Sequence, residues 1–225
     1  MAEGNGLVVC ALAREASKIR TAALPHPTVV MGPGGHFAGA FSMHMEQAAE
    51  KPAWALLAGY SGSLDASVCP GDIVHATSVR DSTDAVLHSP LSDSPQGTGV
   101  HRRHGGMVYS SDSLVCLPAE KARLGKETKA LAVDMESMPF ASLCNRFGIP
   151  WGIIRCVFDS VHDPLHPKML HWCDSRGNQN TLALACDLAL SPGWWWRVPG
   201  WGKRDRLAGK AMAGSVENWI RGQTA

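Results

Sequence analysis

The chain has 225 residues, 45% of them hydrophobic, with 21 basic and 20 acidic side chains and a formal charge of +1. That hydrophobic share is enough for one layered core over residues 1–225, and nothing in the composition marks a second domain. The balanced charge provides no field to gather a polyanion, so nucleic acid is not an expected partner.

Seven cysteines, an odd number with no C-x-x-C pair, fall mostly within apolar stretches and read as reduced, buried thiols. The first residues lack a basic region followed by an apolar stretch, and no apolar run approaches the ~18 residues that a membrane span needs. The expected location is the cytoplasm.

In chain order, apolar runs at about 7–11, 28–31, 54–58, 72–76, 107–109, 130–133 and 151–157 read as strands. Helical stretches at about 13–23, 37–50, 118–127 and 136–147 alternate with them. The alternation predicts an α/β fold of three layers, α/β/α, around a twisted, mixed, mainly parallel central sheet. Between Arg80 and Gly106 the chain is polar and rich in Ser, Asp, Pro and Gly, ending near His101-Arg102-Arg103-His104. A loop of that length is either a solvated excursion or a wall of a pocket or oligomer contact.

Two segments carry the chemistry. Leu131-Ala132-Val133 breaks at Asp134, and Glu136 opens a helix to about Phe147, with Pro139 tolerated in its first turn and Gly148 and Pro150 stopping it. Trp151 to Val157 is then an apolar strand interrupted only by Arg155 and ending at Asp159. The strand, helix, strand order implies a parallel crossover that brings Glu136 and Asp159 to one crevice. Residues i and i+4 of a regular strand share a face, so Arg155 is expected to meet Asp159.

Val-Asp-Met-Glu-Ser at 133–137, followed by Gly148-Ile149-Pro150, Ile154-Arg155 and Asp159, resembles the purine nucleoside phosphorylase and methylthioadenosine/adenosylhomocysteine nucleosidase superfamily. The likeness extends to the first strand, Leu7 to Ala13 with Arg14-Glu15, to the turn Gly32-Pro33-Gly34-Gly35, to a glycine-rich turn over Leu57 to Leu64 that contains Gly59-Tyr60-Ser61-Gly62, and to the strand entry Pro70-Gly71-Asp72-Ile73-Val74. It implies a nucleoside phosphorylase-like fold that cleaves the N-glycosidic bond of a purine nucleoside, adenine being the favoured base. Asp159 would protonate the base, Met135 and Glu136 would hold the ribose, and Glu15 would activate water. Gly59, Ser61 and Gly62 would let the backbone approach the sugar, where glycine's missing Cβ matters. Tyr60 and Phe158 depart from the small residues usual at those positions and leave base recognition open.

Hydrolysis is favoured over phosphorolysis because Ala13-Arg14-Glu15 stands where phosphorylases carry a phosphate cradle. Phosphorolysis, with phosphate as co-substrate, remains the first alternative, and a nucleoside-binding protein without turnover the second. A dinucleotide-binding domain is disfavoured, since no Gly-x-Gly-x-x-Gly follows the first strand. Taken alone, Glu136 would be an ordinary carboxylate complementing a helix dipole.

From about 162 to 225 the chain is an extension rich in Trp and Pro, including Pro192-Gly193-Trp194-Trp195-Trp196-Arg197. It resembles the hopanoid-associated phosphorylases, which implies adenosylhopane, a lipid-linked nucleoside, as substrate. The tryptophans read as packing or oligomer contacts, or as a platform for a lipid-like substituent. His162, His166, His171 and Cys173 suggest metal, but Pro164 and Pro167 break their spacing and the resemblance needs none. No cofactor is expected. By analogy with the relatives, the partner besides the nucleoside is a second copy in a homodimer.

Overall fold

The computed structural model describes residues 5–20, 25–91 and 102–224. Eight strands are present among them: β1 (Gly6–Cys10), β2 (Thr28–Val30), β3 (Trp54–Ser63), β4 (Ile73–Arg80), β5 (Val86–His88), β6 (Arg103–Ser110), β7 (Ala132–Asp134) and β8 (Trp151–Asp159). Six α-helices accompany them: α1 (Ala13–Arg20), α2 (Gly35–Gln47), α3 (Pro118–Thr128), α4 (Ser137–Phe147), α5 (Thr181–Ala189) and α6 (Val198–Thr224).

The sheet is mixed and mainly parallel, as expected, but it also closes on itself. β3 pairs with β7 and β8, β7 with β6, β6 with β4, and β4 returns to β8, forming a ring of five strands. β1 and β2 extend outward from β3, and β5 from β4.

Alternation along β1 assigns its two faces. Leu7, Val9 and Ala11 join Phe37, Phe41 and Met45 of α2 and Phe140, Ala141 and Cys144 of α4. Val8 and Cys10 join Ala16 and Ile19 of α1 and Met212, Val216 and Trp219 of α6. Period-2 strands sandwiched between apolar helix stripes are what the sequence pattern requires. The chain ends in a helix that buries one face on α1 and β8, so the C-terminal extension is partly core.

α4 begins at Ser137 with Glu136 as its cap residue, and ends at Gly148, whose φ of 69° is the left-handed conformation a C-terminal glycine supplies. Two expectations are corrected. The crossover from β7 to β8 is not parallel, because β3 runs antiparallel to β7 and parallel to β8. Gly59 to Gly62 do not form a turn, since β3 continues through them to Ser63 with β8 beside it as far as Asp159. β5 lies inside the stretch read as loop. Residues 92–101, which include His101, lie outside the described residues, while His104 Nε2 sits 3.1 Å from Asp72 Oδ2.

His75 of β4 is buried 3.2 Å from Ser215 Oγ of α6, and burial pushes its pKa down to about 4. A histidine depressed from its ordinary value stabilises the fold above about pH 6.5, and that contribution is lost as pH falls through 4. His75→Gln should therefore narrow the acid-side loss of stability. Urea titrations of both proteins between pH 7 and 4.5 are expected to converge as pH falls; parallel curves would contradict the assignment.

Candidate active site

Six segments distant in sequence line one cavity: residues 11–15, Pro33, 60–62, 113–115, 133–136 and the stretch from Phe158 to Cys173. Glu15, Met135, Glu136, Tyr60, Ser61, Gly62, Phe158 and Asp159 all lie on its wall. Arg155 and Gly59 stand immediately behind it.

The antiparallel course of β7 explains how Glu136 reaches its place. Val133 is level with Gly62 on β3, so the chain runs back along β3 as it leaves β7 and delivers Glu136 toward Arg155, which is level with Gly59. Asp159 remains beside Gly62, farther along β3.

Arg155 is fully buried, with Nε 2.5 Å from Asp134 Oδ2 and Nη2 3.7 Å from Glu136 Oε2. Its Nε and Nη2 also donate to Ser137 Oγ at 3.4 Å, and Ser137 Oγ donates to Asp134. Nη1 is buried without a hydrogen-bond partner. A Cβ on Gly59 would stand 2.6 Å from that nitrogen and 2.9 Å from Glu15 Oε1. Glycine is needed here because the guanidinium and the Glu15 carboxylate crowd the backbone.

Arg155 therefore serves Asp134 and Glu136, and the expected contact with Asp159 gives way. The cause is a bulge: Val157 pairs with Ser61 and Asp159 with Gly62, so Phe158 is an extra residue and the alternation of faces is broken.

Glu15 accepts from the Leu12 N–H at 2.9 Å and the Tyr60 N–H at 2.8 Å. Burial pushes its pKa up, partly offset by those N–H groups and by Arg155. Each carboxylate oxygen keeps acceptor capacity for a further proton donor.

Glu136 accepts from the Gly34 N–H at 2.8 Å, and burial raises it to about 7 against the pull of Arg155. Gly34, at φ 57°, also leaves space for Met135, whose Cε would lie 3.1 Å from a Cβ there. The glycine turn at 32–35 thus supports both Met135 and Glu136.

Asp159 is held by the Lys121 ammonium, which also donates to the carbonyls of Asp163 at 2.7 Å and Ser160 at 3.3 Å. Burial raises Asp159 to about 6 although Lys121 opposes the shift. Lys121 is fully buried, and it does not line the cavity. It grips the carboxylate from behind.

Tyr60 points its hydroxyl at Asp205 of α6, 3.1 Å from Oδ1, and its ring lies 5.7 Å from that of Phe158, with the Arg14 guanidinium over both. Burial and Asp205 push the phenol pKa up. Ser61 Oγ is buried and unpartnered on the cavity wall. The two departures from the resemblance therefore form one aromatic wall.

The roles of Lys121, Asp134 and Asp205 are not legible in the sequence. Lys121 shares a helical face with Leu124 and Thr128, and that spacing was the available signal for its burial. The His162, His166, His171 and Cys173 set does not assemble, and no metal-holding group occurs among the described residues. His166 packs instead against Trp172, tilted, and Trp194, edge-on, each with ring centroids 5.1 Å away.

Residues 82–189 match the family model described as the phosphorylase superfamily. The methylthioadenosine/adenosylhomocysteine nucleosidase of Mycobacterium bovis is 32% identical over 82 residues, 36% of this chain and 32% of the relative. The aminodeoxyfutalosine nucleosidase of Helicobacter pylori is 34% identical over 58 residues, covering 26% of this chain and 25% of the relative. The matched stretches thus span a third or less of those relatives' length. The nucleosidase of Neisseria meningitidis, solved with methylthio-immucillin-A, superposes over 97% of this chain and 99% of its own with a TM-score of 0.66 at 16% identity. Residues 82–189 thus resemble the phosphorylase superfamily, and the fold is the one seen in the solved nucleosidases.

Proposed function

We propose that this protein is an enzyme that hydrolyses the N-glycosidic bond of an adenine nucleoside and releases the free base. The observation that carries the proposal is the convergence of Glu15, Glu136 and Asp159 on one cavity, each with its pKa raised by burial. Perturbed carboxylates gathered in a cleft are a mark of acid–base chemistry.

Bond cleavage builds positive charge on the ribose and negative charge on the departing base. Asp159, protonated, donates to the base; Glu136 accepts from the ribose hydroxyls and Met135 packs beneath the sugar. Glu15 removes a proton from water as the water attacks the anomeric carbon.

Water is favoured over phosphate by the charge of the wall. Glu15, Asp134, Glu136 and Asp159 line the cavity, with Arg14 as the cation among them. A phosphate dianion would meet mostly carboxylates there. The activities of the relatives, nucleosidases acting on methylthioadenosine, adenosylhomocysteine or aminodeoxyfutalosine, point the same way.

For the 5′ substituent, the substrate proposed is a nucleoside bearing a bulky apolar group, adenosylhopane being the case the tail's resemblance suggests. A second cavity shares Arg14, Phe158, Met169 and Cys173 with the first, and Trp172, Leu184, Val198 and Trp201 wall it. Location in the cytoplasm and assembly as a homodimer belong to the same proposal.

The test is release of adenine from methylthioadenosine, adenosylhomocysteine, adenosine and adenosylhopane, followed by chromatography with and without phosphate. Release independent of phosphate is expected. Strict phosphate dependence would overturn the role of Glu15, and binding without release would leave only a nucleoside receptor.

A further inference from the structure

α5 presents an anomaly that the proposed site does not explain. Its sequence, Thr-Leu-Ala-Leu-Ala-Cys-Asp-Leu-Ala, is apolar on nearly every side, yet none of its residues is buried. Leu182 is 73% exposed, Leu190 79% and Trp196 89%, with Trp195 also exposed beside them. Exposed large apolar side chains gathered on one helix and the turn after it are unfavourable in water and mark an interaction surface.

The charges that follow it in sequence say what covers it, Asp187 of α5 itself being paired with Lys168. From 190 to 210 the chain carries Arg197, Lys203, Arg204, Arg206 and Lys210 against Asp205 alone. Arg204 is engaged by Asp163 and Asp205 by Lys18 and Tyr60, whereas Arg197, Lys203, Arg206 and Lys210 are exposed. Two-fold pairing with a second copy through this face would set those cations against their own kind. An anionic lipid surface meets both demands, since tryptophan settles at the headgroup level and each nearby Lys or Arg adds attraction.

We propose that α5 and the Pro192–Arg197 turn form a docking face for an anionic bilayer. No helix is long and apolar enough to cross a membrane among the described residues, so the attachment is interfacial. Trp195 donates its indole N–H to the Leu188 carbonyl at 2.7 Å, which fixes the ring as part of a rigid patch. Leu170 is partly exposed, lines the cavity, and belongs to the Met169–Trp172 turn that packs on α5. One residue of the cavity lining thus lies on the turn that packs against α5. The benefit of this arrangement, direct transfer of a lipid-linked nucleoside from the bilayer, rests on the proposed function, but the docking does not.

The experiment is co-sedimentation of the full chain with phosphatidylcholine vesicles with and without phosphatidylglycerol, at low and high salt. Binding is expected to require the anionic lipid, to weaken with salt, and to fall about tenfold or more in Trp195→Ser/Trp196→Ser. Arg197→Gln/Lys203→Gln should weaken it and flatten its salt dependence, while adenine release from soluble methylthioadenosine is unchanged in both. Absence of vesicle binding, or binding indifferent to these changes, would overturn the proposal. So would a wild-type dimer that ignores vesicles and that the tryptophan variant dissociates, which would assign the face to a second copy. Loss of base release in every form with vesicle binding intact would sink the enzymatic reading alone.

Discussion

Asp159→Asn is expected to lower kcat by about 10³-fold, equivalent to roughly 4 kcal/mol of transition-state stabilisation, while leaving the fold intact. The amide keeps an oxygen that Lys121 can donate to, and the ammonium retains the Asp163 and Ser160 carbonyls, so packing behind the site survives. What disappears is the proton.

The pH dependence follows from the raised pKa. A general acid must enter the reaction protonated, so kcat/KM should fall as pH rises through about 6, the value to which burial pushes Asp159. Lys121 works against that shift, and removing it as Lys121→Met should move the alkaline limb to higher pH by on the order of one unit. A purely structural lysine would lower the amount of folded enzyme without moving the limb. Initial rates across pH 5 to 9 on wild type, Lys121→Met and Asp159→Asn decide the matter. An unmoved limb in Lys121→Met, or substantial activity in Asp159→Asn, would end the assignment of Asp159 as acid.

The strands and helices that carry the site were readable because each has a plain period and plain punctuation. Gly148 stopping α4 and the apolar run 151–157 with a lone arginine are local signals. The partner of that arginine was not local. It depends on the direction of β7, a three-residue strand whose pairing is fixed by β3 and β6, and on a one-residue bulge at Phe158. Neither leaves a mark in composition or spacing. Lys121 was hidden for another reason: within Pro-Ala-Glu-Lys-Ala-Arg its neighbours are charged, and only the fold places a carboxylate where a fully buried ammonium can be satisfied. Tyr60 and Asp205 meet across 145 positions, through the docking of α6.

Arg155→Met should destabilise the fold by about 3–5 kcal/mol, because deleting one partner of a buried ionic cluster strands the charges that remain. Methionine fills much of the arginine volume, so a cavity is not the main loss. Asp134 loses its ion-pair partner, Glu136 its nearest cation, and Glu15 one of the charges that restrain its upward shift. Glu136 and Glu15 relieve themselves by binding protons. A carboxyl whose folded pKa lies above its unfolded value supports the fold at low pH and ceases to do so as pH rises through the folded value. Glu136 already stands near 7 with Arg155 present, and without the guanidinium it moves higher. The gap between wild type and variant should therefore be small near pH 5.5 and widen toward pH 8. Arg155→Lys should recover part of the loss, since a point charge can neutralise but cannot fork between Asp134 and Glu136. Denaturant titrations of the three proteins at both pH values are the measurement. A gap below about 1 kcal/mol, or one that does not change with pH, would show that the buried carboxylates hold their places without the arginine.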